Sequence, residues 1–210
     1  MYKLHYAPGA ASLAPHWMLI ELGMPFEGRR VDLEAGEHKR PEYLAINPNG
    51  LVPTLEIDGV PMYESAAILL LLAERHPEAK MAPEPGTPER RHYYQWMLHF
   101  ANTLQPAFRQ WFYPHEAAGE ANATLAKESA RERIEAAWDR VDAHLVANGP
   151  YMTGANLSAV DFLATMLMRW SRNMPKPATE WPAIGAYVAR MKSRPSFRKL
   201  YAREELTEWA

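Results

Sequence analysis

The stretch from Leu51 to Ser65, LVPTLEIDGVPMYES, holds two short runs of strand-forming residues, Thr54 to Ile57 and Val60 to Tyr63. The pair Asp58-Gly59 lies between them, and an Asp-Gly pair in that position is typical of a tight β-hairpin. The apolar residues that follow Ser65 recur at three- and four-residue steps, which indicates a helix running to about residue 76. The stretch therefore predicts a β-hairpin followed directly by a helix.

The residues before this stretch add an earlier strand, helix and strand. Residues 2–6 alternate apolar and polar side chains, which is the spacing of a β-strand. Residues 12–22 have a helical pattern, and residues 26–33 predict a second strand. A polar segment, residues 34–49, then leads to the hairpin. The order β-α-β, crossover, β-β-α is that of a thioredoxin-like α/β domain, which we predict for residues 1–78.

The chain changes character after residue 78. Three prolines fall between residues 79 and 88, and prolines at this density disfavour both helix and sheet, so this segment is predicted to be a linker. Beyond it, apolar residues recur at helical steps and no paired strand signals follow. We therefore predict an all-α helical domain over residues 89–210. Pro106 falls inside one helical pattern and predicts a kink or an interruption there.

The composition excludes several classes of protein. The net charge of −2 offers no basic field for nucleic acid or an anionic membrane. No apolar run reaches the roughly 18 residues of a membrane span, and no secretory signal is recognisable at the N-terminus, so we expect a cytoplasmic protein. The chain has no cysteine, and its eight histidines show no ligand spacing. Neither thiol chemistry by the protein itself nor a metal site is therefore expected.

Three local patterns resemble the cytosolic glutathione transferases, and with the predicted element order the resemblance covers essentially the whole chain. YAPGAASLAPHWMLIELG (Tyr6 to Gly23) is similar to the first strand, turn and helix of the bacterial beta-class enzymes. GEHKRPEYLAINPNGLVPTLEIDGVPMYES (Gly36 to Ser65) resembles the superfamily broadly and is the most specific of the three. LSAVDF (Leu157 to Phe162) is similar to a helix-start element of the second domain, where Ser158 and Asp161 predict a capping box.

The resemblance implies that glutathione binds along residues 51–65, at Leu51, Val52, Pro53, Glu64 and Ser65. A cis proline at position 53 leaves the backbone of Val52 free to pair with the cysteinyl part of the tripeptide, as an added strand would. Ser65 precedes the apolar helix as a natural N-cap, and a helix N-terminus attracts the γ-glutamyl carboxylate, while Glu64 pairs with the ligand ammonium. The structural alternatives are an ordinary strand proline and a simple cap.

His38 is assigned, by the same resemblance, to the glycine end of glutathione. A cationic or hydrogen-bonding side chain suits a carboxylate. The alternative is that His38 belongs to a solvated run of charge on a loop, together with Lys39 and Arg40.

Ser12 is the predicted catalytic residue. Glutathione reacts as a thiolate, and both a helix N-terminus and a donated hydroxyl lower the pKa of a thiol. Ser12 stands where both could act, and Tyr6 is the alternative hydroxyl. The structural alternatives are that Ser12 is only a helix N-cap and that Tyr6 is a core aromatic residue whose hydroxyl reaches solvent. The beta class carries a cysteine immediately before this serine, whereas this chain has Ala11, so a serine-type transferase is the better model.

The predicted function is conjugation of glutathione, the co-substrate, to a hydrophobic electrophile. Trp111 and Tyr113 are assigned by resemblance to the electrophile pocket, with helix core or dimer interface as the alternative. The beta-class His-Lys pair of the helical domain aligns with Gln105 and Pro106, which is a second departure from that class. The resemblance also implies a homodimer. A glutathione-dependent isomerase or dehalogenase, a non-catalytic carrier or regulator, and an interaction domain that has lost the site remain open.

Overall fold

A four-stranded sheet lies at the centre of the N-terminal part of the chain, of which the computed structural model describes residues 1–209. The strand order is β2-β1-β3-β4, with β1 parallel to β2 and antiparallel to β3. β3 and β4 form the predicted hairpin, in which Asp58 and Gly59 have φ of 52° and 84°, as a two-residue turn with positive φ at both positions requires. The strands are β1 (Tyr2–Tyr6), β2 (Phe26–Arg30), β3 (Thr54–Ile57) and β4 (Val60–Tyr63).

The second strand is shorter than predicted. The sequence favours a strand over residues 26–33, but β2 ends at Arg30. The N–H of Val31 still donates to the carbonyl of Tyr6, and the chain then leaves the sheet for a turn. The pairing with β1 therefore ends before the apolar residues Val31 and Leu33 of the predicted strand.

Three helices cover this sheet: α1 (Leu13–Glu21), α2 (Pro41–Leu44) and α3 (Ser65–Arg75). Successive side chains of a strand point to opposite faces. On one face, the Tyr2 hydroxyl bonds the ring of His76, at the end of α3, over 2.9 Å. On the other face, the ring of His5 meets the ring of Tyr43 of α2 edge-on, with centroids 5.8 Å apart. The thioredoxin-like arrangement predicted for the first domain is confirmed.

The remainder of the chain is helical, as predicted. Phe100–Leu104 forms a π-helical turn shortly before Pro106, which cannot donate a hydrogen bond to the carbonyl four residues earlier. The predicted interruption therefore takes the form of a π-helical segment. The helices are α4 (Pro88–His99), α5 (Gln105–Phe112), α6 (Pro114–Ala118), α7 (Ala123–Asn148), α8 (Ala159–Trp170), α9 (Pro182–Lys192) and α10 (Pro195–Arg203).

Contacts divide the chain into two compact units. The first is Met1–Ala82 together with the segment from Lys192 onward, and the second is Pro83–Met191. Helix α10 belongs to the first unit because it packs on α1: the indole N–H of Trp17 donates to the Ser196 hydroxyl over 2.8 Å. The predicted boundaries 1–78, 79–88 and 89–210 follow chain order and stay a prediction, whereas the packing assigns the last helix to the sheet-containing unit.

The second unit contains the predicted capping box at the start of α8. The Asp161 carboxylate is fully buried and accepts hydrogen bonds from the N–H groups of Met152 and Ser158 and from the Ser158 hydroxyl. The Tyr187 hydroxyl of α9 also donates to it over 2.9 Å. Burial raises the pKa of Asp161, and these hydrogen bonds act in the opposite direction. One side chain thus joins α8, α9 and the loop before α8.

Two absences hold for residues 1–209. Within them, no helix is long and apolar enough to cross a membrane. The same residues form no group of three or more His, Cys, Asp or Glu side chains that could hold a metal ion.

Candidate functional site

The turn that leads from β1 into α1 holds the predicted catalytic serine. Ser12 is fully buried at the N-cap position of α1. Its hydroxyl accepts from the N–H of Ala7 and donates to the carbonyl of Ala7, each over 3.1 Å. The Ser12 hydroxyl therefore closes the turn upon itself. The hydroxyl proton is thus already donated to a carbonyl. To receive this hydrogen bond, the sulfur of a ligand would have to replace the Ala7 carbonyl as the acceptor.

The same turn presents backbone donors. Within residues 1–209, the N–H groups of Ala11 and Ser12 have no hydrogen-bond acceptor. They lie at the entrance of α1, where the first N–H groups of a helix lack intrahelical partners and carry partial positive charge. An anion placed against this turn would receive these two donors. Position 11, where the beta class has a cysteine, contributes its N–H here and no side-chain chemistry.

A buried carboxylate from the far end of the chain holds this turn. Glu204 follows α10 and is almost completely buried. One of its oxygens accepts from the N–H of Gly9 over 2.8 Å, and the other meets Nδ1 of His16 at 2.7 Å. Sequence reasoning missed Glu204 and His16, because 188 residues separate the two partners and no local motif links them.

Tyr6, the alternative hydroxyl, lies beside this network. Its ring stacks at a tilt on the ring of His16, with centroids 4.7 Å apart. Burial raises the pKa of the Tyr6 phenol, and the negative charge of Glu204 adds to the effect. The phenol is therefore protonated at neutral pH and keeps a proton to donate.

Val52-Pro53 forms the predicted free edge. The bond between the two residues is cis, as expected from the resemblance. β3 begins only at Thr54, and among residues 1–209 neither the N–H nor the C=O of Val52 has a hydrogen-bond partner. The carbonyl of Leu51 is fixed instead by the Tyr43 hydroxyl over 2.7 Å and by the Asn47 amide over 2.8 Å. The edge is thus rigidly held and open to an extended ligand.

Glu64 and Ser65 form the start of α3, with one difference from the prediction. Glu64, and not Ser65, occupies the N-cap position, and Ser65 is the first helical residue. The Ser65 hydroxyl donates to the carbonyl of Ala11 over 2.9 Å, which joins the start of α3 to the turn before α1. Its backbone N–H remains at the helix N-terminus, where an anion is favoured.

The backbone of Glu64 is strained. Its φ is 77°, a value that side chains other than glycine rarely adopt. Such a conformation costs on the order of 1–3 kcal/mol and persists where the surroundings impose it, frequently at a ligand site. The Glu64 side chain is exposed and has no ion-pair partner among the described residues. Sequence reasoning gave no sign of this strain.

His38 lies in a short 3₁₀ turn, Glu37–Lys39, beside the loop that carries Gly50. Its Nδ1 is buried and lacks a hydrogen-bond partner within residues 1–209. Burial and the charge of Lys39 both lower the pKa of the imidazole. Gly50 has φ of 58°, and a Cβ there would lie 2.8 Å from the His38 carbonyl, so only glycine fits.

The aromatic residues assigned to the electrophile pocket lie in the second unit and have separate partners. Trp111 packs under the ammonium of Lys127, 4.5 Å from the ring centroid, whereas Tyr113 packs under Arg109 at 4.4 Å. Neither ring contacts the other. Phe112, which lies between them in the same aromatic cluster of the sequence, is exposed, and its ring centroid lies 6.0 Å from that of Trp170. It also stacks on the buried ring of Phe108, four residues earlier on the helix.

The structure thus joins some of the predicted site residues by direct contact and leaves others apart. Ser65 contacts the turn that contains Ser12, and the His38 turn lies against the loop that leads to Val52. Trp111 and Tyr113 belong to the other unit.

Comparison with known proteins gives the class to which this fold and edge belong. Residues 10–75 match the family model of the glutathione S-transferase N-terminal domain, and residues 102–204 match that of the C-terminal domain. The chain belongs to the glutathione S-transferase family. A glutathione S-transferase of Xanthomonas campestris pv. campestris, GST-4.5, is 31% identical over 193 residues, which cover 90% of this chain and 92% of the relative.

Two solved structures are similar over nearly their full length. A beta-class glutathione S-transferase of Sphingomonas chungbukensis is 31% identical, with a TM-score of 0.84, covering 98% of this chain and 100% of that chain. A glutathione transferase homologue from Sulfitobacter, solved with bound glutathione, is 26% identical with a TM-score of 0.90, covering 98% of this chain and 99% of the other. The fold predicted from the sequence, and its resemblance to the bacterial enzymes, are confirmed.

Proposed function

We propose that this protein is a glutathione S-transferase that binds glutathione along the edge from Leu51 to Ser65, stabilises its thiolate at the turn before α1, and transfers it to a hydrophobic electrophile. The observation that supports this most strongly is the unpaired backbone of Val52, held open by fixed neighbours and followed by the strained Glu64. An extended tripeptide pairs with such an edge as a short strand. The thiolate sulfur attacks a carbon atom of the electrophile. This forms a thioether, either with expulsion of a leaving group or by addition to an activated double bond.

The ends of glutathione find complementary groups along this edge. We assign the γ-glutamyl carboxylate to the N–H of Ser65, its ammonium to the Glu64 carboxylate, and the glycine carboxylate to His38. The orphaned Nδ1 of His38 and the unpaired carboxylate of Glu64 support these assignments, because an unpaired polar group beside a cleft gains a hydrogen bond when a ligand arrives.

Glu64→Ala tests the ammonium assignment. Loss of a charge-assisted hydrogen bond costs about 1.5–3 kcal/mol, so we expect the dissociation constant of glutathione to rise about tenfold to a hundredfold while thermal unfolding stays close to that of the parent protein. Glutathione titration by calorimetry measures the first quantity, and circular dichroism the second. Glu42→Ala, on the exposed side of α2, is the matched control. Equal affinity in the two variants would remove Glu64 from the site.

We assign the activation of the thiol to the α1 entrance, with the free N–H groups of Ala11 and Ser12 and the Ser12 hydroxyl as donors. The hydroxyl reaches the sulfur only by exchanging its bond to the Ala7 carbonyl for one to the thiolate, which is a charge-assisted bond and therefore the stronger one. Tyr6 is the second candidate, since it retains its proton. No metal is required for this chemistry.

Ser12→Ala separates these donors. If the hydroxyl stabilises the thiolate, the pKa of bound glutathione rises by about one unit or more and turnover with an aryl halide at neutral pH falls about tenfold. The thiolate absorbance of the bound ligand, followed across pH, measures this shift, with Tyr6→Phe as the comparison variant. An unchanged thiolate pKa with a loss of stability would show that the hydroxyl serves only the turn, and that the backbone donors suffice.

A homodimer and a cytoplasmic location are part of the same proposal. The family resemblance and the prevalence of two-fold symmetry among soluble oligomers support the dimer. Trp111 and Tyr113 are proposed to contribute to the electrophile pocket, together with the exposed ring of Phe112.

A further inference from the structure

A cleft with a volume of about 280 Å³ opens between β2 and α2, in the sheet-containing unit. It shares none of its lining residues with the glutathione edge. Its floor is apolar and consists of Val31, Tyr43 and Ile46, of which the first two are almost completely buried. Val31 and Tyr43 belong to one apolar cluster, against which Ile46 packs, so the floor is built from core residues. A floor of this kind accepts a ring or a branched aliphatic group.

One wall of the cleft is a buried histidine with one ring nitrogen unpaired. The His5 side chain is only 8% exposed, and its Nε2 lies 2.7 Å from a carboxylate oxygen of Glu56. This hydrogen bond holds the pKa of Glu56 below its usual range, so the carboxylate is ionised and Nε2 carries the proton. Nδ1 has no hydrogen-bond partner within residues 1–209. Nδ1 is therefore the ring nitrogen that is left to hydrogen-bond with a ligand.

The rim carries both signs of charge. Arg29 and Arg40 are more than half exposed, and each is only loosely paired with Glu37, at 3.8 and 3.9 Å. Glu37 is itself occupied, since its other oxygen accepts from the N–H of Asp32 over 2.9 Å. Both guanidinium groups thus keep donors for a carboxylate. Glu42, also on the rim, has no ion-pair partner among residues 1–209 and suits an ammonium.

We propose that this cleft binds a free aromatic α-amino acid whose ring carries a hydroxyl group, with L-tyrosine as the simplest example. The carboxylate meets Arg29 and Arg40, the ammonium meets Glu42, the ring lies on the apolar floor, and the hydroxyl hydrogen-bonds with Nδ1 of His5. Each polar group of the ligand then satisfies a group that the protein leaves unpaired or loosely paired. The cleft shares no lining residue with the glutathione edge, so both ligands can be bound at the same time.

The test compares L-tyrosine with three analogues that each lack one group. Phenylalanine lacks the hydroxyl, tyramine the carboxylate, and 3-(4-hydroxyphenyl)propanoate the ammonium. Each is titrated into the full chain by calorimetry, with and without saturating glutathione. We expect L-tyrosine to bind in the millimolar range or better, and each analogue to bind about tenfold more weakly, because each loses one charge-assisted or buried hydrogen bond.

Variants assign these losses to residues. Glu42→Gln lowers the affinity for L-tyrosine about tenfold and leaves the affinity for the propanoate, which has no ammonium, unchanged. The double variant Arg29→Gln/Arg40→Gln also lowers the affinity for L-tyrosine about tenfold, and it leaves the affinity for tyramine, which has no carboxylate, unchanged. His5→Gln removes the preference for tyrosine over phenylalanine. Arg91→Gln, an exposed position in the second unit, is the control with no effect.

Three results would overturn the proposal. They are no saturable binding of L-tyrosine in the millimolar range, displacement of L-tyrosine by glutathione, and equal affinity in the parent protein and all cleft variants. Loss of glutathione binding with L-tyrosine binding intact would instead contradict the proposed function and leave the cleft proposal standing. Glutathione titration of each variant also reports whether the unit remains folded.

Discussion

Glu204→Ala lowers the free energy of unfolding by about 3–5 kcal/mol and reduces glutathione turnover about tenfold or more. The substitution removes the carboxylate that bonds the N–H of Gly9 and the buried Nδ1 of His16, and removing one partner of a buried charged network costs this much. The turn that presents the Ala11 and Ser12 N–H groups is held by those same bonds. A donor array that loses its fixed position stabilises a thiolate less well.

Urea unfolding and steady-state turnover with an aryl halide measure the two effects. Glu205→Gln is the matched control, because Glu205 is adjacent in the chain, is 76% exposed and, among residues 1–209, pairs only with the exposed Arg30. An exposed ion pair of this kind is worth at most about 1 kcal/mol. If Glu204→Ala resembled Glu205→Gln in both measurements, the buried network would have no role in holding the turn.

Asp161→Ala, in the second unit, lowers the free energy of unfolding by a comparable amount. The variant removes one carboxylate that four donors share, including the N–H of Met152, the Ser158 hydroxyl and the Tyr187 hydroxyl. Because these donors are buried, each loses an acceptor that water cannot replace, and we expect about 3–5 kcal/mol of lost stability. Soluble yield and the urea midpoint at 25 °C provide the measurement.

Ser158→Ala is the control that separates the cap from the network. It removes only the hydroxyl and keeps the Ser158 N–H bond to Asp161, so we expect a loss of about 1 kcal/mol, as for a single N-cap. Equal losses in the two variants would mean that Asp161 acts only as a helix cap, and not as the joint between α8, α9 and the preceding loop.

Local chemistry explains why much of the fold could be predicted. The Asp58-Gly59 turn, the alternation in β1 and the apolar face after Ser65 each depend on a few neighbouring residues, so the order of elements follows from the sequence. The capping box of Ser158 and Asp161 is likewise local, and it is confirmed. The assignment of α10 to the first unit depends on contacts between Trp17 and Ser196, which no local pattern encodes.

The candidate site likewise combines features that a local motif predicts with features that depend on tertiary contacts. The unpaired backbone of Val52 lies where the motif indicated it, whereas the motif gave no sign that Nδ1 of His38 is buried without a partner. The role of the Ser12 hydroxyl in closing its own turn could not be foreseen, because it depends on the geometry of Ala7. The Glu204 network joins residues from opposite ends of the chain and is a product of tertiary structure. The positive φ of Glu64 lies at the junction of β4 and α3, and no sequence motif encodes it.

The measurement that tests the central claim most directly is calorimetric titration of glutathione into the full chain at neutral pH. A transferase that binds glutathione along the edge from Leu51 to Ser65 gives saturable binding with one site per chain, and this binding is weakened in Glu64→Ala and kept in Glu42→Ala. No detectable heat at millimolar glutathione, together with no displacement by S-substituted glutathione analogues, would contradict the account.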